Sequence, residues 1–437
     1  MHRAARHPFV IGWVGAVMLW SLPAGAENAI ERLERELAET KAAVRALEDK
    51  PAPQAKGPGL NPDISLDGLF AAGASTAADL DNLQTGAHDP NQRGFTLQNL
   101  ELTVSAAVDP YFTAHGFLIF GIDRAGESFL EIEEAYLTST AFPHNLQLRA
   151  GAFFTQFGRL NPIHPHTWAF VDQPLVNNRL LGGDGLRGPG MQVSYLVPVP
   201  VYLELIATLQ NSQGETASSF RNVPDETLFD RELIDRPVKG LDDLLVVPRV
   251  ATSFELGATQ TLLAGLSAAL GPNASGEHAR TRIYGADLYY KWKPQRTVKG
   301  WPFVSWQTEV MQRRYVNAAA EAVADNPDTS LIDESLPAAP EEVLRDRGLY
   351  SQVLWGFTPR WVAGLRGEYA AGRGGDLTDL LRERRVRVSP NLTFYPSEFS
   401  KWRVQYNRDD VQSRDDVVHS VFLQWEFLIG THGAHTF

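Results

Sequence analysis

The sequence predicts an all-β fold: a closed antiparallel transmembrane β-barrel of about 16 strands, preceded by a signal peptide and a short coiled-coil helix. Three observations predict it. From about residue 63 onward apolar residues recur with period two, the spacing of a strand with one oily and one polar face. The connections alternate between tight turns and long links, as in barrels with short periplasmic turns and longer outer loops. Aromatic residues gather at strand ends beside the tight turns, where a bilayer interface would hold them.

The elements justify themselves in chain order. Arg3 and Arg6 form a basic start, Phe9 to Leu22 is apolar, and Ala24-Gly25-Ala26 is a small-residue cleavage site. Residues 1–26 read as a secretory signal peptide cut after Ala26; the alternative, a membrane anchor, has too short an apolar stretch to span comfortably. Residues 27–50 carry Ile30, Leu33, Leu37, Val44 and Leu47, with Thr40 in the one gap, an a/d heptad seam. Three heptads are marginal alone, so the helix reads as a stalk joining several copies, a trimer, or else as a lone surface helix. Residues 51–62, rich in Pro and Gly, form a linker, and residues 63–437 form the barrel.

Within the barrel, Leu100, Leu102 and Val104 alternate with Glu101, Thr103 and Ser105. Val304, Trp306 and Val310 alternate with Ser305, Gln307, Glu309 and Met311. Trp402, Val404 and Tyr406 alternate with Lys401, Arg403 and Gln405. Such segments fall near 63–75, 94–109, 111–122, 128–141, 145–158, 188–199, 201–212, 245–257, 260–271, 281–293, 302–316, 346–357, 360–371, 384–396, 401–409 and 416–430. Asp109-Pro110, Val199-Pro200 and Thr358-Pro359 mark tight turns; 76–93, 159–187, 213–244, 317–345 and 372–383 are long links. The interface aromatics include Tyr111, Phe142, Tyr202, Trp292, Trp361, Tyr395 and Trp402.

Composition excludes several functions. The 437 residues carry a net charge of -12, which argues against nucleic acid as a partner. Cysteine is absent, so there is no disulfide, thiolate nucleophile or cysteine metal site. The sequence has no phosphate-binding glycine loop, no dinucleotide fingerprint and no nucleophile elbow, and reads as a non-enzyme.

The last strand, Val421-Phe422-Leu423-Gln424-Trp425-Glu426-Phe427, and the terminal Phe437 resemble the assembly signal of bacterial outer-membrane barrels. Signal peptide, coiled coil, linker and barrel together resemble the porin superfamily, near the phosphate-selective and carbohydrate porins. Asn61-Pro62-Asp63-Ile64-Ser65, Glu131-Ile132-Glu133-Glu134-Ala135-Tyr136, His164-Pro165-His166-Thr167-Trp168 and Gly430-Thr431-His432-Gly433-Ala434-His435 are similar to a group labelled zinc-regulated TonB-dependent outer-membrane receptors. TonB receptors carry a plug domain and about 22 strands, for which the region ahead of this barrel leaves no room. The resemblance implies the outer membrane of a Gram-negative bacterium, with lipid and lipopolysaccharide as neighbours. It also implies a passive channel for small polar solutes or ions, and a third outer loop folded into the lumen as the constriction.

That loop, Arg159 to Arg187, holds the candidate constriction residues His164, His166, Asp172, Asn178, Arg179, Asp184 and Arg187. His164, His166 and Asp172 are also candidate zinc ligands, through imidazole and carboxylate; the plain alternative is that they cap and pack the loop. Beyond zinc no cofactor is expected. His432 and His435 form a second, weaker histidine pair. The polar strand faces put Asp67, Glu101, Glu131 and Glu133 on one wall of the lumen and Arg366, Arg385, Arg387, Lys401 and Arg403 on another. Opposed walls of this kind set a transverse field; the alternative is ordinary lumen polarity. Two outer links, around 225–243 and 321–342, are acidic and could gather divalent cations or simply be solvated. Three functions remain: a passive channel, a metal-linked transport protein gated at His164 and His166, and a structural or adhesive barrel with a plugged lumen.

Overall fold

A computed structural model describes residues 62–123, 125–322, 338–373 and 382–430. The signal peptide, the coiled coil, the linker up to residue 61, His432 and His435 lie outside them.

Sixteen strands close into one antiparallel barrel. They are β1 (Asp63–Ser75), β2 (Gly94–Ala107), β3 (Phe112–Ile122), β4 (Ser128–Ser139), β5 (Leu146–Phe154), β6 (Arg187–Leu196) and β7 (Tyr202–Gln210). A two-residue hairpin, β8 (Thr227–Leu228) and β9 (Arg231–Glu232), stands apart in the next link. The barrel continues with β10 (Leu245–Glu255), β11 (Gln260–Pro272), β12 (Arg280–Trp292), β13 (Phe303–Asn317) and β14 (Glu342–Thr358). It ends with β15 (Trp361–Arg373), β16 (Arg385–Ser397), β17 (Ser400–Val411) and β18 (Val418–Gly430). Each strand pairs with the next, and β1 closes on β18 from Ser65↔Gly430 to Ser75↔Ser420. Closure leaves no unpaired edge, the condition for backbone in hydrocarbon.

The alternation sorts the two faces. Trp306, Val353 and Leu365 stand side by side on β13, β14 and β15 and face outward, 38%, 42% and 55% exposed. Their neighbours Gln307, Gln352 and Arg366 are buried inside. A closed antiparallel barrel with an oily exterior is built for a bilayer, and this is an outer-membrane barrel. Tyr202 and Tyr395 depart from the expected girdle: they share the inner parity of Ile206 and Thr393 and face the lumen.

Tight turns are held locally; in the β2–β3 turn the Asp109 carboxylate accepts from the N–H of Tyr111 and Phe112 at 2.7 and 2.9 Å. The third outer link is longer than the sequence suggests. β5 stops at Phe154 and Arg187 opens β6, so the link runs over 155–186. Asn161 fastens its base: its amide donates to Thr155 O and Leu186 O at 2.8 and 2.9 Å, and its oxygen accepts from Leu186 N at 2.8 Å.

The lumen is not simply polar. Val247, Ala269, Ile283, Met311 and Tyr350 occupy inner positions on β10–β14. They bury against Phe157, Leu160, Val176, Leu180 and Leu181 of the third link and Phe220 of the fourth. An apolar inner wall would be wasteful facing water; here it is a docking surface for folded-in chain.

Candidate functional site

The segment 155–186 is a strap across the lumen. Gly158 N donates to Ser267 Oγ on β11 at 3.1 Å, and Leu160 N donates to Glu309 on β13 at 2.8 Å. The chain then returns to β2 and β4 at His164. It follows β17 and β16, where Arg403 donates to Trp168 O at 2.9 Å and Asn391 donates to Ala169 O at 2.8 Å. Leu175 N reaches Glu368 on β15 at 2.7 Å, and α1 (Leu175–Leu181) lies against β13–β15 until Gly182, at φ +104°, ends it. The first outer link also folds in: Gln84 and His88 touch the strap at Asp172 and Asp184.

The strap matches the charges of the wall. Its one anion on the basic side is Asp172, fully buried. Arg387 Nη1 reaches its Oδ2 at 2.9 Å, and Arg366 holds both its carboxylate and its carbonyl. Gln84, Gln405 and Asn407 donate to the same carboxylate at 2.9, 2.9 and 2.7 Å. Burial alone would raise the Asp172 pKa, but Arg366 and Arg387 outweigh it and hold the carboxyl below the usual range.

On the acidic side stand the strap's two histidines. His164 Nδ1 lies 3.0 Å from Glu101 and 2.9 Å from Glu133, and its Nε2 lies 2.8 Å from Glu134. His166 Nδ1 lies 3.2 Å from Glu101, and its carbonyl accepts from Lys401. Burial pulls the His164 pKa down, yet the Glu101 and Glu133 charges carry it well above the ordinary imidazole value; His166 is raised the same way by Glu101.

These placements correct two expectations. Asp172 does not join His164 and His166; it belongs to the arginines, and Glu101 supplies the third donor atom beside the histidines. The acidic and basic walls oppose one another only in part: β1 lies two strands from β17, whereas Glu131 and Glu133 on β4 lie seven strands round from Arg366 on β15. Closure of β1 on β18 sets the arc β1–β4 beside the arc β15–β17, so the ends of the sequence are neighbours on the ring.

The other expected residues are placed as follows. Arg187 pairs with Glu131 and, at 2.5 Å, with Asp184. It also donates to the carbonyls of Ile132 and Glu133 at 3.0 and 2.9 Å. Asn178 accepts from Thr85 at 2.9 Å, and Arg179 donates to Glu383 O at 2.8 Å. Arg385 and Arg387 share Asp409, and Arg403 donates to Gln424 at 2.7 Å. Glu101, Glu131, Glu133, Arg366, Arg385, Arg387 and Arg403 all face inward, engaged with the strap, the wall or one another, and Asp67 faces inward with neither carboxylate oxygen hydrogen-bonded.

Sequence reasoning missed Glu134 and His88. The β3–β4 register passes from Phe117↔Glu134 to Leu118↔Ile132, so Glu133 is an extra residue. This bulge turns Glu133 and Glu134 inward together, which strict alternation forbids. The readable signal was two consecutive glutamates where one side chain should meet lipid. His88 lies 3.2 Å from Asp184 and 3.7 Å from Glu133; burial lowers its pKa, and Asp184 and Glu133 bring it to about 9.

No family model matches the chain. An uncharacterized protein of Aquifex aeolicus (strain VF5) is 31% identical over 405 residues, spanning 86% of this chain and 80% of that protein. Among solved structures, the outer membrane channel DcaP of Acinetobacter baumannii has a TM-score of 0.52 at 13% identity, covering 84% of this chain and 98% of that one. The anion-selective porin of Comamonas acidovorans has a TM-score of 0.49 at 8% identity, over 84% and 100% of the two chains. The likeness to DcaP is one of fold. The chain belongs to the same family as the Aquifex aeolicus protein, and its own fold is an antiparallel outer-membrane β-barrel of sixteen strands.

Proposed function

We propose that the protein is an outer-membrane channel for small polar solutes or ions, narrowed by the strap 155–186. One observation carries this reading: the strap is fitted to the wall charge by charge, with His164 on the glutamates and Asp172 on the arginines. Contacts between charged groups can be exchanged for water and ions, so such a strap can yield to a solute. The inner face of the β3–β12 arc stays partly open around His115, Tyr136, Arg149 and Tyr289, a wetted approach to the strap. The channel would work as a homo-oligomer, a trimer joined by the stalk 27–50.

Insertion of the purified full chain into planar bilayers tests this. The proposal expects small, discrete conductance steps. A correctly folded barrel that never conducts would overturn it, in favour of a plugged structural or adhesive barrel. The apolar packing of Phe157, Leu180 and Phe220 against β10–β13 is the observation that favours this second reading.

A further inference from the structure

Among the described residues, the acidic arc carries more negative than positive side chains. Asp67, Glu101, Glu131, Glu133, Glu134 and Asp184 converge there, against His88, His164, His166 and Arg187. Even with every imidazole protonated, two negative charges are left over. Lys401 does not settle them, because Glu426 is its partner.

Asp67 makes the excess specific. It is 4% exposed, and neither carboxylate oxygen has a hydrogen-bond partner. It stands directly across from Glu101 in the β1–β2 register, and the opposite charge acting on it most strongly is His166. Two buried carboxylates face to face on neighbouring strands repel, and a buried oxygen without a partner is destabilising. Something positive belongs between them.

We propose that Glu101, His164 and His166, with the charge of Asp67 beside them, form a binding site for one divalent transition-metal ion of the zinc class. The donor set is two imidazoles and one carboxylate, which suits zinc with a fourth position left for water. One carboxylate oxygen of Glu101 and one ring nitrogen each of His164 and His166 lie within 4.8 Å of one another. Glu101 sits 3.0 Å from one nitrogen and 3.2 Å from the other. Ligands bound at 2.0–2.1 Å around a tetrahedral ion are spaced by roughly 3.3 Å, so these two edges are nearly formed. Residues from β2 and the strap would then share one ion, which would pin the strap to the acidic wall. The competing occupant is the proton, which also bridges imidazole and carboxylate.

Zinc binding by the full chain in detergent decides between them. The background is His432→Gln/His435→Gln, which removes the histidines after β18, and the protein is stripped with a chelator and dialysed. Titration calorimetry with zinc chloride should give one ion per chain. Asp67→Asn and His166→Gln should each weaken binding at least tenfold, and cobalt(II) in place of zinc should give the strong visible absorption of a tetrahedral site. Asp67→Asn breaks no hydrogen bond, so it guards against a variant that merely misfolds. No zinc uptake by the background chain, or equal uptake by both variants, would overturn the proposal and leave protons as the bridging charge. This test does not depend on whether the barrel conducts.

Discussion

Arg387 Nη1 donates to Asp172 Oδ2 at 2.9 Å, across 215 positions of sequence and from barrel wall to strap. Arg366 holds the other oxygen, so one strap carboxylate bridges two buried guanidiniums. Asp172→Ala should therefore release the strap on the basic side. Two buried arginines lose one carboxylate partner, Arg366 keeping Glu368 and Arg387 keeping Asp409, a cost of about 1–3 kcal/mol. Thermal unfolding followed by circular dichroism should shift down, and protease sensitivity should rise within 155–186. An unchanged melting profile would place the latch elsewhere.

His88 ties the first outer link to the strap and sets an alkaline limit. Its folded pKa, about 9, lies above the ordinary 6.5. A raised pKa contributes stability that is complete below the unfolded value and is lost as pH rises through the folded one. The expected loss between pH 6.5 and 9 is about 3 kcal/mol. His164 and His166 act in the same direction. Asp172 acts oppositely: its pKa is depressed, so its contribution is lost on acidification. Denaturant midpoints measured across pH should fall on the alkaline side, and His88→Gln should flatten that fall.

Gly158 seats the strap against β13. It adopts φ +63°, and a Cβ there would come 2.1 Å from Glu309 Oε2. Gly158→Ala should cost about 1–3 kcal/mol through backbone strain, with the collision added. The melting temperature should drop, and the apolar contacts of Phe157 and Leu160 should loosen. Tolerance of alanine would mean that Glu309 is free to swing away.

The barrel was legible because its signal is local. Each strand must turn one face to lipid, and residues such as Val353 and Gln352 declare their sides without reference to the rest of the chain. The strap's contacts were less legible. His164 and Asp172 stand out in the sequence as polar groups on a long link, but their partners lie 63 and 215 positions away at Glu101 and Arg387. Glu134 was hidden because the bulge at Glu133 breaks the period that assigns faces. Ile283 and Met311 were inner-facing by parity yet apolar, a sign of a docked strap that polar-lumen reasoning overlooks. Ring closure cannot be read from chain position, which is why Glu101 and Arg387 look remote in sequence and lie on adjoining arcs.

The central claim is that the strap, held by its charges, narrows the channel. Single-channel conductance of the full chain against a variant with residues 162–184 replaced by a short Gly-Ser link tests it most directly, given that the variant still closes as a heat-resistant barrel. The account predicts small steps for the native chain and steps several times larger for the variant. Equal conductance in the two, or silence in both, would contradict it.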